Sequence, residues 1–185
     1  MTRPAIAQAV AGSPASDAWW ISQVYNPINW LYGQQPLIAV KTSDTSRTSN
    51  VTTSPDPQLQ VTVLANTTYL VEMFIAYVAD ATMDFQCDYS APSGASGIMS
   101  PWGPDLSATS GSTTTTIRTV ADASVTSARG IGGSDGSIIL TARPVGTLIT
   151  AGSGGTFSFD WAQNTSSATA ATVKAGSWIK LTPQG

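Results

Sequence analysis

Thr156-Phe157-Ser158-Phe159-Asp160-Trp161-Ala162-Gln163 carries an aromatic ring at every second position from 157 to 161. Successive side chains of a strand point to opposite faces, so Phe157, Phe159 and Trp161 fall on one side and Ser158 and Asp160 on the other. A helix would scatter the same rings around its circumference. The stretch therefore predicts a half-buried strand. Upstream, Tyr69, Val71, Met73, Ile75 and Tyr77 make a longer alternating face. Their counterparts Leu70, Glu72, Phe74, Ala76 and Val78 are mostly apolar too, which predicts a strand covered on both sides.

Gln58–Val63 alternates in the same way, and Thr82–Ser90 follows a short turn at 79–81. Further strands are expected at Thr113–Val120, Ser137–Ala142, Thr147–Thr150, Ala170–Lys174 and Ser177–Thr182. Gly/Ser/Asp clusters at 93–97, 130–136 and 152–155 separate them. Many short strands punctuated by turn residues indicate an all-β chain, an antiparallel β-sandwich of the jelly-roll kind.

Composition agrees. Only 10% of the residues are charged, whereas Ser and Thr make up roughly a quarter of the chain. Hydroxyls satisfy strand edges and turns, and they suit helices poorly. Glu72 is the single glutamate; the other acids are Asp, a turn former. With 42% hydrophobic residues in 185, the chain buries a core without metal or disulfide, and its one cysteine, Cys87, reads as a small buried residue.

Several function classes fall away. Eight Lys plus Arg and a net charge of −3 give no basic stripe, so no nucleic acid partner is expected. No apolar run approaches the ~20 residues of a membrane span, and residues 1–12 lack the features of a secretory signal, so synthesis in a cytoplasm without secretion is expected. With no histidine, the usual general base and zinc ligand are missing; neither catalysis, nor a cofactor, nor a metal site is expected. The Gly-rich stretches lack a terminal Gly-Lys-Ser/Thr. Asp84 and Asp88 lie two strand periods apart around Gln86, which would suit a glycan-hydrolysing pair or a solvated strand face. In the second case Met83, Phe85, Cys87 and Tyr89 point inward.

Three regions follow. Residues 1–16 read as an extended arm, residues 17–35 as a Trp-rich segment, and residues 36–185 as the sandwich domain. In the second, Asp17 is a candidate cap and Trp20, Val24, Ile28 and Leu31 share one helical face. Asn26-Pro27 predicts a kink between two short helical pieces. Trp19, Tyr25 and Trp30 lie off that face, which leaves the segment apolar nearly all round. Such a segment either packs on its own domain or docks on another protein, with Trp19, Trp20, Val24, Tyr25, Pro27, Ile28, Trp30 and Leu31 as the docking residues. Trp102, in Pro101-Trp102-Gly103-Pro104, is either a platform for a host-surface glycan or a buried plug at one end of the sandwich.

The run from Gly155 through Trp161-Ala162-Gln163-Asn164-Thr165-Ser166 to Lys174-Ala175-Gly176-Ser177-Trp178-Ile179-Lys180-Leu181 resembles the ending of small structural proteins from tailed phages of actinobacteria. Thr45-Ser46-Arg47-Thr48-Ser49 and Ala65-Asn66-Thr67-Thr68-Tyr69-Leu70-Val71-Glu72 resemble the beginning of the same domains. In that group a Trp-rich segment precedes the domain; Tyr25-Asn26-Pro27-Ile28-Asn29-Trp30-Leu31 stands in its place, with Tyr and Asn where the group has Arg and Asp. The resemblance implies a virion surface protein, either a capsid-decoration or head-fibre protein or a minor tail or tail-fibre protein. Its partners would be the major capsid or tail protein. The strand pattern is also similar to trimeric jelly rolls of the tumour-necrosis-factor and complement-head type. That implies a homotrimer in which Phe157, Phe159, Trp161 and Trp178 are core or intersubunit residues.

Overall fold

The computed structural model describes residues 16–107, 117–118, 120–121 and 124–184. The expected arm at 1–15 and most of the expected strand at Thr113–Val120 lie outside the described residues. Eight principal strands are numbered here in chain order: β1 Leu37–Val40, β2 Ser54–Val63, β3 Thr68–Val78, β4 Phe85–Ser90, β5 Arg129–Ile131, β6 Val145–Ile149, β7 Gly155–Gln163 and β8 Trp178–Gln184. They pair antiparallel as β1 with β8, β2 with β7, β3 with β6 and β4 with β5. This nesting is one long hairpin rolled over itself, the wiring of a jelly roll. It yields two sheets, β1-β8-β3-β6 and β2-β7-β4-β5, with Ser96–Ser100 extending the first beyond β6.

The alternation read at Phe157–Trp161 holds: all three rings are buried between the sheets. They meet β4 and β3 in an aromatic cluster. Phe85 stacks on Trp161 with ring centroids 5.4 Å apart, Tyr77 tilts over Phe85 at 4.5 Å, and Tyr89 stacks on Phe157 at 6.3 Å. Tyr77 donates its hydroxyl to the Gly132 carbonyl at 2.6 Å, so its buried oxygen has a partner. Met83, Phe85, Cys87 and Tyr89 all point inward as expected, and burial pushes the Cys87 thiol pKa up.

Strands lost to a simple period search are those without alternation. β1 is four apolar residues, β5 lies inside a stretch of glycines, and Ser96–Ser100 begins in a turn cluster. The last of these packs so tightly on β6 that a Cβ on Gly146 would sit 2.0 Å from the Ile98 carbonyl oxygen. Only glycine permits that approach.

β3 corrects the expectation of cover on both sides. Its inward face is sealed, but Leu70 and Glu72 are exposed on the outer face. Further along, Ala76 is buried where Leu140–Ala142 and Ala171–Val173 flank the strand.

Candidate functional site

The N-terminal helix comes first in the chain. Ser16, not Asp17, caps it: its Oγ accepts the Trp19 amide at 3.2 Å, and Asp17 occupies the first turn, where a negative charge favours the helix dipole. Two α-helical pieces, α1 Asp17–Trp20 and α2 Asn26–Gly33, are joined by a π-helical turn at Ile21–Tyr25. The kink expected at Asn26-Pro27 is replaced by this wider turn. Asn26 stays helical at φ −64°, ψ −44°, its amide reaching back five residues to the Ile21 carbonyl. A π turn absorbs the donor that Pro27 lacks without breaking the helix.

The face Trp20, Val24, Ile28, Leu31 is turned to solvent except at Val24, which is half-buried. Trp20 is 54% exposed, Tyr25 62% and Tyr32 73%; Ile21 is exposed as well. Pro27 is buried, and Trp19 and Trp30 are half-buried. Among the described residues, the hydrophobic core between the sheets draws nothing from this segment. The sequence placed these aromatics together, and the structure leaves most of their surface uncovered.

Trp102 is no plug. Its backbone takes φ +35°, its carbonyl accepts the Arg143 amide at 2.8 Å, and its side chain is 50% exposed. The adjoining Gly103–Pro104 strand pairs with Ile117–Arg118, and Asp105 closes the next turn on the Ser107 amide and hydroxyl.

The structure separates Asp84 from Asp88. Asp84 precedes β4 at φ +54°, and its Oδ1 accepts the Gly133 amide at 2.8 Å. Burial raises its carboxyl pKa, the Gly133 amide pulls it down, and Asp105 and Asp80 push it up further. Asp88 sits within β4 and accepts from the Thr53 hydroxyl at 3.0 Å and the Tyr89 amide at 2.8 Å. Among the described residues no group of three His, Cys, Asp or Glu side chains is arranged to hold a metal ion.

Lys41 and Asp56 stand in no motif or alternating run, and what they do is visible only in the structure. Between the Ser158–Gln60 and Asp160–Pro55 pairs the β2 register slips, bulging the chain around Asp56-Pro57. The bulge turns Asp56 into the interior, where Lys41 Nζ donates to both carboxylate oxygens at 2.8 and 2.9 Å. Thr45 Oγ1 takes a further Lys41 proton at 2.7 Å, and Trp161 Nε1 donates to Asp56 Oδ2 at 3.1 Å. Arg47 lies over the Trp161 ring, 4.1 Å from its centroid, and donates to the Ser54, Pro55 and Trp161 carbonyls. Such a network ties the bulge to the end of β1. The Lys41–Asp56 pair at its centre is closed to a ligand, because both side chains are fully buried.

The two outer faces of the sandwich differ in chemistry. On β2-β7-β4-β5 the outward residues are Gln60, Thr62, Ser158, Asp160, Gln86, Asp88 and Ser90, nearly all polar. On β1-β8-β3-β6 the outward positions mix apolar Ile38, Val40, Trp178, Phe74, Leu70, Val145 and Ile149 with polar Thr68, Glu72, Thr147, Lys180 and Thr182. Of the four aromatics offered as core or intersubunit residues, Phe157, Phe159 and Trp161 are therefore core. Trp178 is on the outer face, stacked on Phe74 with centroids 6.5 Å apart.

No protein-family model matches the chain, and no curated protein matches it. Among solved structures it is similar to the VP2 subviral particle of infectious bursal disease virus, at 10% identity and a TM-score of 0.24, over 81% of this chain and 42% of that one. The Gt strain of the same virus aligns at 10% identity and a TM-score of 0.20, over 81% and 41%. The chain thus spans about two fifths of the length of those structures.

Proposed function

We propose that this chain is a non-enzymatic structural protein of a bacteriophage virion, a homotrimeric jelly roll carried on the particle surface as a capsid-decoration or head-fibre protein. The helix Asp17–Gly33 is its anchor to the major capsid or tail protein. What carries the reading is the contrast between a closed core and an uncovered aromatic helix. Trp20, Tyr25, Ile28, Leu31 and Tyr32 are exposed although the fold is complete without them. Large aromatic surface of that kind is what interfaces enrich. A trimer multiplies weak anchors by holding three near one lattice. The test is deletion of residues 1–34. The truncated domain should fold, stay in solution and no longer associate with particles; a truncated form that still binds them would end the anchor assignment.

The second reading is a minor tail or tail-fibre protein whose sandwich binds host-surface glycans. The exposed ring of Trp102 favours it, since an aromatic plane on a turn can stack on a sugar face. Purified domain should then bind host cells, and Trp102→Ala should abolish that binding without altering the fold. Absence of cell binding by the unmodified domain would remove this reading and leave the first standing.

A further inference from the structure

We propose that the outer face of the β1-β8-β3-β6 sheet is the surface through which copies of this chain contact one another. The inference rests on the self-association in the proposed function and assigns it a place. Three observations carry it. β3 is apolar on both faces, the pattern of a strand covered twice, but in the single chain its outer side is bare at Leu70, 45% exposed. Exposed apolar side chains recur across the sheet, at Ile38 and Val40 on β1, Val145 and Ile149 on β6 and Ile98, 53% exposed, on Ser96–Ser100, with the half-buried Trp178 and Phe74 between them. The opposite sheet shows none of this: β2, β4 and β7 carry no exposed large hydrophobic side chain.

Size and charge select the occupant. Five strands at ~4.8 Å spacing span about 24 Å, and seven residues of β3 run about 23 Å, so the face covers roughly 550 Å² in projection. That is most of the ~800 Å² per partner a stable protein interface buries. Its charged residues are Glu72 and Lys180, paired at 2.8 Å, and Arg143, whose guanidinium lies 5.8 Å from the centroid of the outward Phe74 ring. One cation beyond a neutralised pair is little charge with which to select an acidic partner, and the face has area enough to select one of the same mixed, largely uncharged character. A second copy supplies that surface without further design.

Sedimentation velocity on the full chain tests this. The unmodified protein should sediment as an oligomer at micromolar concentration. Leu70→Lys combined with Ile98→Lys should weaken association at least about tenfold and yield monomer. Thr62→Lys, on the polar sheet, should leave the oligomer intact. Near-UV circular dichroism shows whether each variant is folded; if the lysine pair unfolds, Leu70→Thr with Ile98→Thr keeps the strand propensity and makes the same prediction. An oligomer that persists in folded variants overturns the assignment of this face while leaving self-association itself in place. A monomeric unmodified chain overturns both.

Discussion

Lys41 Nζ and Asp56 Oδ1 lie 2.8 Å apart with neither side chain exposed to solvent. A buried pair of this kind contributes little over a well-packed apolar pair, because desolvation offsets the attraction, but it is costly to break from one side. Lys41→Met should destabilise the domain by about 3–5 kcal/mol, since Asp56 would remain buried with only Trp161 and the Gln58 amide as donors. Lys41→Met with Asp56→Leu should cost less than Lys41→Met alone. Urea unfolding of both variants measures this, and a double variant no more stable than Lys41→Met would contradict it.

Gln163 organises the turn after β7 with its whole amide. Nε2 donates to the Ser167 carbonyl at 3.0 Å and the Thr169 carbonyl at 2.6 Å, while Oε1 accepts the Asn50 and Ser167 amides at 3.2 and 3.0 Å. Gln163→Leu leaves the Thr169 carbonyl and the Asn50 and Ser167 amides without this partner, at about 1–3 kcal/mol for each that stays buried, while the Ser167 carbonyl keeps the Ser49 amide at 2.8 Å. Denaturation should show a loss of that order, and hydrogen exchange at the Asn50 and Ser167 amides should accelerate while the β4 amides stay protected.

These two networks explain which parts of the molecule could be read in advance. Phe157–Trp161 and Tyr69–Tyr77 were legible because one buried face imposes a period of two. β1 was not, since Leu37-Ile38-Ala39-Val40 has no polar side to alternate with, and its place is set by pairing with β8 across a long sequence gap. The Lys41–Asp56 pair was not legible, because a bulge leaves no periodic trace and nothing local announces that Asp56 turns inward. Part of what carries the family resemblance, Arg47 and the Trp161-Ala162-Gln163 run, proves to be internal framework: a guanidinium over an indole and an amide bracing a turn. Trp102 could be read either way until its exposure was seen, because a tryptophan in a proline-bounded turn has the same local sequence whether it points in or out.

Asp160 sets a pH dependence. It is buried on the outer side of β7, where burial raises its carboxyl pKa above the ordinary 3.8. The Ser158 and Ser90 hydroxyls, at 2.5 and 2.6 Å, pull it down, Asp88 pushes it up, and Arg47 pulls it down again. An acid whose folded pKa exceeds its unfolded value binds more protons in the folded state. Its contribution is then most favourable at low pH and is lost as pH rises through the folded pKa. The stability of Asp160→Asn relative to the unmodified chain should therefore be more favourable at pH 7 than at pH 3.5. Guanidinium unfolding at the two values checks it, and equal differences would show that Asp160 titrates normally.

The helix and the core should respond oppositely to substitution. Trp20, Tyr25 and Tyr32 are exposed and lie outside the interior cluster, so Trp20→Ser, Tyr25→Ser and Tyr32→Ser should each shift the thermal midpoint by no more than a surface change does, within about 0.5 kcal/mol. Phe159 is fully buried among Phe85 and Tyr89, and Phe159→Ala should cost about 3–5 kcal/mol. If the helix is an anchor, the triple serine variant folds like the parent and fails to co-sediment with particles. If the segment instead packs on its own domain, the same variant loses stability. A thermal melt and a particle-binding assay on one preparation therefore decide between an anchor and a piece of the domain.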